Sequence, residues 1–161
     1  MSLIEDDMED LIYLRPLKRE DALISYKWRN DPNVWRYTGS HPDRVITPEI
    51  ELAWIDKVLV DVTSQRYAIC LCENDKYIGN VQLTNINGDS AVFHIFIGER
   101  SMWNKGIGSQ ATKKMIEIAK NKLNLKILKL WVNPDNIAAV KAYQKNGFSA
   151  IDTNGNMVIE L

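Results

Sequence analysis

A glycine-containing turn, Ser101–Gln110, constrains the fold of this chain more than any other stretch. It follows an apolar run typical of a β-strand, Ala91–Ile97, and precedes a helical pattern over about Ile107–Leu123. The glycines of the turn, Gly106 and Gly108, permit positive φ angles and a close approach of backbone to a ligand. A strand, such a turn and a helix together can bind phosphate, because the N–H groups of the first helical turn are free. A tight turn before a packed helix explains the same glycines, so the turn alone does not decide between the two.

The chain of 161 residues is long enough for one domain with a sizeable core, and we expect a single domain over residues 1–161. A formal net charge of −1 without blocks of like charge argues against tight nonspecific binding to nucleic acid. No apolar run approaches the roughly 18–20 residues of a membrane span. Residues 1–9 are acidic and lack the layout of a signal peptide, so we interpret them as a disordered tail or an expression scar.

The cysteines predict a reduced, cytoplasmic protein. Cys70 and Cys72 lie two residues apart in a predicted strand, so they share a face and are poorly placed for a mutual disulfide. With two histidines in the whole chain, no metal-ligand spacing is present. We therefore expect buried thiols and no metal site.

Hydrophobic periodicity and turn residues predict the element order β–α–α–β–β–β–α–β–α–β–β. The three consecutive strands between Arg66 and Gly98 are joined by short turns and form an antiparallel meander. Helix starts are marked by Thr47 with Pro48 and by Asn136. The predicted class is α/β (α+β), with a mixed, mostly antiparallel sheet of about six to seven strands and about four helices on its faces.

At this point the residues resemble a known family, the GNAT superfamily of acetyl-CoA-dependent N-acetyltransferases. The family's loop pattern is (Gln/Arg)-x-x-Gly-x-(Gly/Ala), and here Trp103 stands at its first position. A second block, Asn-x-x-Ala-x-x-x-Tyr-x-x-x-Gly-Phe, matches in full over Asn136–Phe148. With Trp at this loop position, the chain resembles the subgroup that includes ribosomal-protein N-terminal, polyamine and amino-sugar acetyltransferases. A P-loop is excluded because its Lys follows the second glycine, whereas Lys105 precedes the first.

The resemblance implies acetyl-CoA as the donor substrate and a sheet whose central strands splay apart. The pyrophosphate would lie on the turn, with contacts from Asn104, Lys105, Gly106, Ile107, Gly108, Ser109 and Gln110. The pantetheine arm would enter the gap between the splayed strands and hydrogen-bond like an added strand. Its implied contacts are the backbone of Phe96, Ile97 and Gly98, together with Asn133 and Asn136. An N-cap role for Asn136 is compatible with this contact.

The resemblance also places a general acid at Tyr143, which would protonate the departing thiolate. A core tyrosine on a helix is the alternative. Many relatives carry a base as Glu on the third meander strand, but Val92 occupies that position here. His94 lies on the same face and is a candidate base, directly or through water. A hydrogen-bonded strand histidine without a proton-transfer role is the alternative reading.

The acceptor site is expected on the first helices and their loop, where Trp28, Arg29, Asp31 and Tyr37 are candidate contacts. Trp28 fits a core position equally well. Aromatic, Arg and Asp side chains suit a polar amine with negative or hydroxylated groups, such as an amino-sugar on a nucleotide, or a protein N-terminus.

The sequence thus predicts an N-acetyltransferase that acts by direct attack in a ternary complex, on a small-molecule amine in the first instance. A protein N-terminal α-amine is the second candidate acceptor. A non-catalytic acyl-CoA-binding regulatory module is the alternative of another class. The expected partners include neither nucleic acid nor membrane, and the protein is expected to be a monomer or homodimer.

Overall fold

A computed structural model describes residues 9–36 and 41–161 of the chain. Its strands are β1 (Ile12–Pro16), β2 (Gln65–Leu71), β3 (Tyr77–Asn87), β4 (Ser90–Ile97), β5 (Ile127–Trp131), β6 (Ser149–Ala150) and β7 (Asn156–Glu160). Its helices are α1 (Ala22–Arg29), α2 (Pro32–Trp35), α3 (Pro48–Leu59), α4 (Ile107–Glu117) and α5 (Ile137–Lys145). None of the helices in this part of the chain is long and apolar enough to cross a membrane.

The strands form one seven-stranded sheet in the order β1-β2-β3-β4-β5-β7-β6. Neighbouring strands are antiparallel except for β4 and β5, which are parallel. The predicted meander is β2–β3–β4, and the mixed, mostly antiparallel class is confirmed. The additional helix relative to the predicted four is the short α2, which Asp31 caps by accepting a hydrogen bond from the backbone N–H of Asn33 at 3.0 Å.

Helices cover both faces of the sheet, because side chains alternate along each strand. On one face, the apolar side chains of the meander pack with α4 and α5 around Phe93 and Met115. On the other face, Ala68 and Cys70 pack with α1 and α3 through Trp28 and Ile55. The turn before α4 and the candidate acceptor helices therefore lie on different sides of the central strands.

Local capping explains where the functional helices begin. Thr47 Oγ1 accepts a hydrogen bond from the Ile50 N–H at 3.2 Å, and Asn136 Oδ1 accepts one from the Ala139 N–H at 3.3 Å. Both caps were predicted, since Thr and Asn satisfy the free N–H groups of a first turn. Beyond α4 the helix continues as a π-helical turn over Ile118–Lys122, close to the predicted end.

The cysteine prediction is right for Cys70 and wrong for Cys72. Cys70 is fully buried, whereas Cys72 is exposed. The reason is the length of β2, which ends at Leu71, so that Cys72 begins the turn to β3 and no longer alternates with Cys70. Among the described residues, no group of three or more His, Cys, Asp or Glu side chains could hold a metal ion.

Candidate active site

The central feature of the site is a gap between β4 and β5. The two strands pair only through Ser90–Val92 and Ile127–Lys129. Beyond Val92, β4 continues to Ile97 while β5 turns to pair with β7 along its whole length. The splay expected from the resemblance is therefore confirmed, and it leaves the β5 side of the later β4 residues open to an extended ligand.

The turn before α4 has the geometry of an anion cradle. Gly106 has φ 80° and Asn104 has φ 61°, both in the left-handed region. Within residues 9–36 and 41–161, no side chain caps α4, and its first turn contains no acid. A Cβ atom at Gly106 or Gly108 would meet nothing within 4 Å, so the space above the helix end is open. The free N–H groups of this first turn can thus reach a phosphate.

Two side chains predicted at this turn have protein partners instead. Gln110 Oε1 accepts a hydrogen bond from the Leu11 N–H at 2.9 Å, and Gln110 Nε2 donates to the Glu9 carbonyl at 3.2 Å. Gln110 therefore holds the segment before β1 against α4. Glu9 belongs to the predicted tail, residues 1–9, and this contact fixes it, while residues 1–8 lie outside the described part of the chain. Ser109 Oγ accepts a hydrogen bond from Asn146 Nδ2 at 3.0 Å, and Lys105 is exposed.

Asn146 was not identified from the sequence as a site residue. It lies at the end of α5, and its Nδ2 also donates to the Ser109 carbonyl at 3.2 Å and to the Ala142 carbonyl at 2.9 Å. The bonds to Ser109 join the helix that carries Tyr143 to the first turn of α4. In the sequence, Asn146 reads only as a helix end before Gly147, because its partner lies 37 residues away.

Trp103, which stands where the loop pattern usually has Gln or Arg, has a structural role in this chain. Its indole Nε1 donates a hydrogen bond to the Ile97 carbonyl at 2.8 Å. This bond ties the loop to the end of β4 and occupies the Ile97 carbonyl. The N–H of Gly98 is also engaged, since it donates to the Ile78 carbonyl at 2.8 Å. Of the three backbone positions expected to meet pantetheine, Gly98 therefore turns its N–H toward β3 and away from the open edge.

Tyr143 lies on the α4 and α5 face, close to where the strands separate. Its ring centroid is 5.9 Å from that of Phe93, which is the first β4 residue beyond the last pair with β5. The side chain is nearly buried, and the described residues offer its hydroxyl no hydrogen-bond partner. Burial raises the pKa of Tyr143 to about 12, so the phenol is protonated and can donate.

The His94 side chain lies on the face of β4 opposite to that of Phe93 and Tyr143, because His94 follows Phe93 in the strand. Its Nε2 lies 3.0 Å from Thr84 Oγ1 on β3. Desolvation by the surrounding protein and then the positive charge of Arg66 lower the pKa of His94, although part of the residue is exposed. A neutral imidazole can accept a proton, so His94 has the charge state of a base at neutral pH.

The two asparagines after β5 use their side chains locally. Asn133 Oδ1 accepts a hydrogen bond from the Asp135 N–H at 3.0 Å, and the Asn133 carbonyl accepts from the Asn136 N–H at 2.9 Å. Together with the Asn136 cap, these bonds shape the turn that leads into α5. They fix the position of Tyr143 on that helix.

The predicted acceptor residues separate into different roles. Trp28 is buried against Tyr77, with ring centroids 4.8 Å apart, so the core reading is confirmed. Asp31 is the α2 cap described above and does not pair with Arg29. Instead, Arg29 Nη1 lies 3.1 Å from Glu51 Oε1. Tyr37 lies outside the described residues.

Arg29 also lines an open groove beside α3, on the face of the sheet that carries His94. The groove has a volume of about 600 Å³ and includes Arg44 and Trp54 in its lining. The Arg29 guanidinium lies 5.2 Å from the centroid of the Trp54 ring. Glu51 behind it is buried and also accepts a hydrogen bond from Ser25 Oγ at 2.9 Å. Glu51 and Trp54 were not identified from the sequence, since both read as ordinary residues of an amphipathic helix.

Comparison with known proteins agrees with this geometry. Residues 12–149 match the family model described as acetyltransferase (GNAT) domain. The chain is 32% identical over 140 residues to spermidine N(1)-acetyltransferase of Escherichia coli, covering 86% of this chain and 73% of the relative. It is 27% identical over 136 residues to acetyltransferase PseH of Campylobacter jejuni, covering 84% of this chain and 82% of the relative.

A solved structure shows the same fold. The crystal structure of spermidine N-acetyltransferase from Vibrio cholerae in complex with CoA and spermine superposes with a TM-score of 0.82 at 23% identity. The superposition covers 94% of this chain and 96% of that chain. The family match agrees with the open strand gap and the glycine turn. The chain therefore belongs to the GNAT family and is an acetyl-CoA-dependent N-acetyltransferase.

Proposed function

We propose that this enzyme transfers the acetyl group of acetyl-CoA to a primary amine of a small molecule, such as an amino-sugar, by direct attack in a ternary complex. The observation that carries this proposal is the placement of Tyr143 and His94 on opposite faces of β4, beside the open gap. An acid for the leaving thiolate and a base for the incoming amine are the groups that acetyl transfer requires. A single domain in the cytoplasm, as a monomer or homodimer, remains our prediction.

The proposed reaction runs in one transfer. The neutral amine attacks the thioester carbonyl, and an N–H group of the β4 edge near Ile97 stabilises the oxyanion. The C–S bond then breaks, Tyr143 protonates the thiolate, and the amine proton leaves to His94 or to a water. The products are an N-acetyl amide and CoA. Neither cysteine lies in the gap, since Cys70 is buried beneath α1 and α3 and Cys72 is in the β2–β3 turn, which favours a mechanism without an acyl-enzyme.

The acceptor class is tested by CoA thiol release with a panel of amino-sugars, polyamines, aminoglycosides and N-terminal peptides. We expect turnover with one or more small amines, and intersecting lines in two-substrate initial-rate plots. Turnover confined to the peptides would favour the alternative acceptor, a protein N-terminal α-amine. Parallel lines would contradict the ternary complex, because they indicate a covalent intermediate.

Donor binding at the glycine turn is tested by Gly106→Ala. The left-handed conformation of Gly106 costs an L-residue roughly 1–2 kcal/mol, and relief of that strain would move the N–H groups from the pyrophosphate. We expect the KM for acetyl-CoA to rise about tenfold, which corresponds to about 1.4 kcal/mol. Gly88→Ala is a matched control, because Gly88 also has positive φ, 62°, and open space around its Cβ position. An equal change of KM in both variants would contradict the cradle.

The role of His94 is tested by the pH dependence of kcat/KM. Its pKa is lowered, so the neutral base persists to lower pH than for an ordinary histidine, and activity should fall only below that lowered pKa. We expect His94→Gln to lose this acidic limb and about 100-fold in kcat/KM. Thr84→Val removes the partner of His94 but keeps the imidazole, so it should keep the limb. A His94→Gln profile that matches the wild type would indicate a water as base.

A further inference from the structure

Arg66 on β2 carries a half-buried charge that the described protein does not neutralise. Its Nε atom is buried and has no hydrogen-bond partner. Within residues 9–36 and 41–161, its guanidinium forms no ion pair, and desolvation lowers the pKa of Arg66. Charges removed from water are normally paired, because desolvation is costly. An arginine in this state is suited to an anion that arrives with a ligand.

Two carboxylates on the same side of the molecule as Arg66, those of Asp61 and Glu51, accept hydrogen bonds from other residues. The Asp61 carboxylate accepts hydrogen bonds from the Thr63 N–H at 2.9 Å and from Thr63 Oγ1 at 2.7 Å. Glu51 is held by Arg29 and Ser25, as described above. Asp61 favours the charged form of Arg66 but less strongly than desolvation opposes it. Arg66 therefore differs from Arg29, which already has a carboxylate partner.

The position of Arg66 connects it to the acceptor side of the gap. Its guanidinium lies 5.4 Å from the centroid of the Trp54 ring, which also lines the groove. In the sheet, Arg66 is opposite Gln82, and Gln82 is opposite His94. These three side chains form a row on one face across β2, β3 and β4. Since neighbouring strands are about 4.8 Å apart, the row spans about 10 Å.

We propose that Arg66 binds an anionic group of the acceptor, a phosphate or carboxylate carried about 10 Å from the reacting amine. This inference rests on the proposed function, because it takes the His94 end of the row as the place of the amine. Trp54 supplies a flat apolar surface at the Arg66 end of the row. A polyamine would bring a further cation toward Arg66, so the acceptor named for the spermidine relatives is disfavoured here.

The test compares acceptors that differ only in the anion. Aminohexyl phosphate and aminohexanol share the amine and the chain, and spermidine serves as a cationic comparator. For the wild-type full chain, we expect kcat/KM with the phosphate to exceed that with the alcohol about tenfold or more, the range for charge-assisted hydrogen bonds. Spermidine should be the poorest of the three.

Substitution of Arg66 identifies the residue responsible. We expect Arg66→Gln to bring the phosphate-to-alcohol ratio close to one when both acceptors are assayed at the same pH, with the KM for acetyl-CoA unchanged. Arg19→Gln is the matched control, because Arg19 is exposed and its guanidinium is paired with Asp56 at 3.1 Å. It should keep the wild-type ratio. A ratio retained in Arg66→Gln, or a wild-type preference for spermidine, would overturn the proposal.

A binding measurement separates this inference from the proposed function. Hexyl phosphate, which has no amine, is titrated calorimetrically into protein saturated with CoA. Binding that weakens at least tenfold in Arg66→Gln supports the anion site even if neither amine is acetylated, and in that case the proposed small-amine acceptor fails alone. The Arg66 inference is overturned if hexyl phosphate at millimolar concentration does not bind the wild type, or if it binds both proteins equally. In that case, acetylation of aminohexanol would still support the proposed function.

Discussion

A Tyr143→Phe variant should retain the fold and the affinity for acetyl-CoA but lose about 10–1,000-fold in kcat. The ring packs against Phe93 and Phe148, and phenylalanine preserves those contacts. Only the hydroxyl is removed, and it has no hydrogen-bond partner among the described residues to leave unpaired. Because burial raises the pKa of Tyr143 to about 12, the phenol is the protonated donor throughout the neutral range. The loss of kcat should therefore be uniform from about pH 6 to 9.

The measurement is kcat from thiol release at saturating acetyl-CoA, beside a urea unfolding curve for each protein. Tyr67→Phe is the matched control, since Tyr67 is buried in the same apolar cluster and, among the described residues, its hydroxyl donates only to Gln65 Oε1 at 3.5 Å. Tyr67→Phe should keep kcat within about twofold. Near-wild-type kcat for Tyr143→Phe across the pH range would assign this residue to the core and leave the thiolate without a protein acid.

A Gly98→Ala variant should be destabilised by about 1–3 kcal/mol, the range for overpacking a buried contact. A Cβ atom on Gly98 would overlap Cδ2 and Cγ of Trp28. The indole has little room to retreat, because Trp28 is itself packed against Tyr77 and Phe96. Gly98 is required by this close approach, although the resemblance suggested it only as a contact for pantetheine.

Denaturant midpoints measure this loss, with Gly108→Ala as the control glycine. A Cβ atom at Gly108 meets nothing within 4 Å, and Gly108 lies in the first turn of α4, so that variant should unfold at or slightly above the wild-type midpoint. In a Trp28→Leu background, Gly98→Ala should be less destabilising than in the wild type, because the clashing ring is absent. Additive effects of the two substitutions would contradict a direct clash, since contacting residues couple energetically.

The elements that local chemistry specifies were predictable from sequence. The meander follows from alternating side chains and short turns, and the caps at Thr47 and Asn136 follow from their side-chain oxygens. The gap between β4 and β5 has no local signal, because it depends on where two distant strands cease to pair. Only the family resemblance suggested it. The same limit explains Cys72, whose exposure depends on one residue of strand length.

In the site, the sequence indicated residues whose chemistry is carried by a motif and missed those defined by distant partners. Tyr143 and the glycine turn belong to recognisable blocks. Trp103 and Asn146 act through backbone groups that no pattern identifies. Gln110 matched the position of a ligand contact, yet the segment before β1 takes its amide. Arg66 reads as the polar start of a strand, and only the folded chain reveals that its guanidinium forms no ion pair within the described residues.

The hydrogen bonds from Asn146 to Ser109 join α5 to the start of α4, and this joined unit is separate from the helices on the other face of the sheet. These bonds fasten the turn proposed to bind phosphate to the helix of Tyr143, so that the proposed donor site and the proposed acid form one unit on one side of the sheet. The groove, Trp54 and Arg66 belong to the other side. Under the proposed assignment of the two sites, acceptor preference can diverge through α1–α3 and the start of β2 without disturbing how the donor is held. For protein engineering, this suggests that substitutions in α1–α3 and at the start of β2 can change acceptor specificity while the acetyl-CoA site stays unchanged.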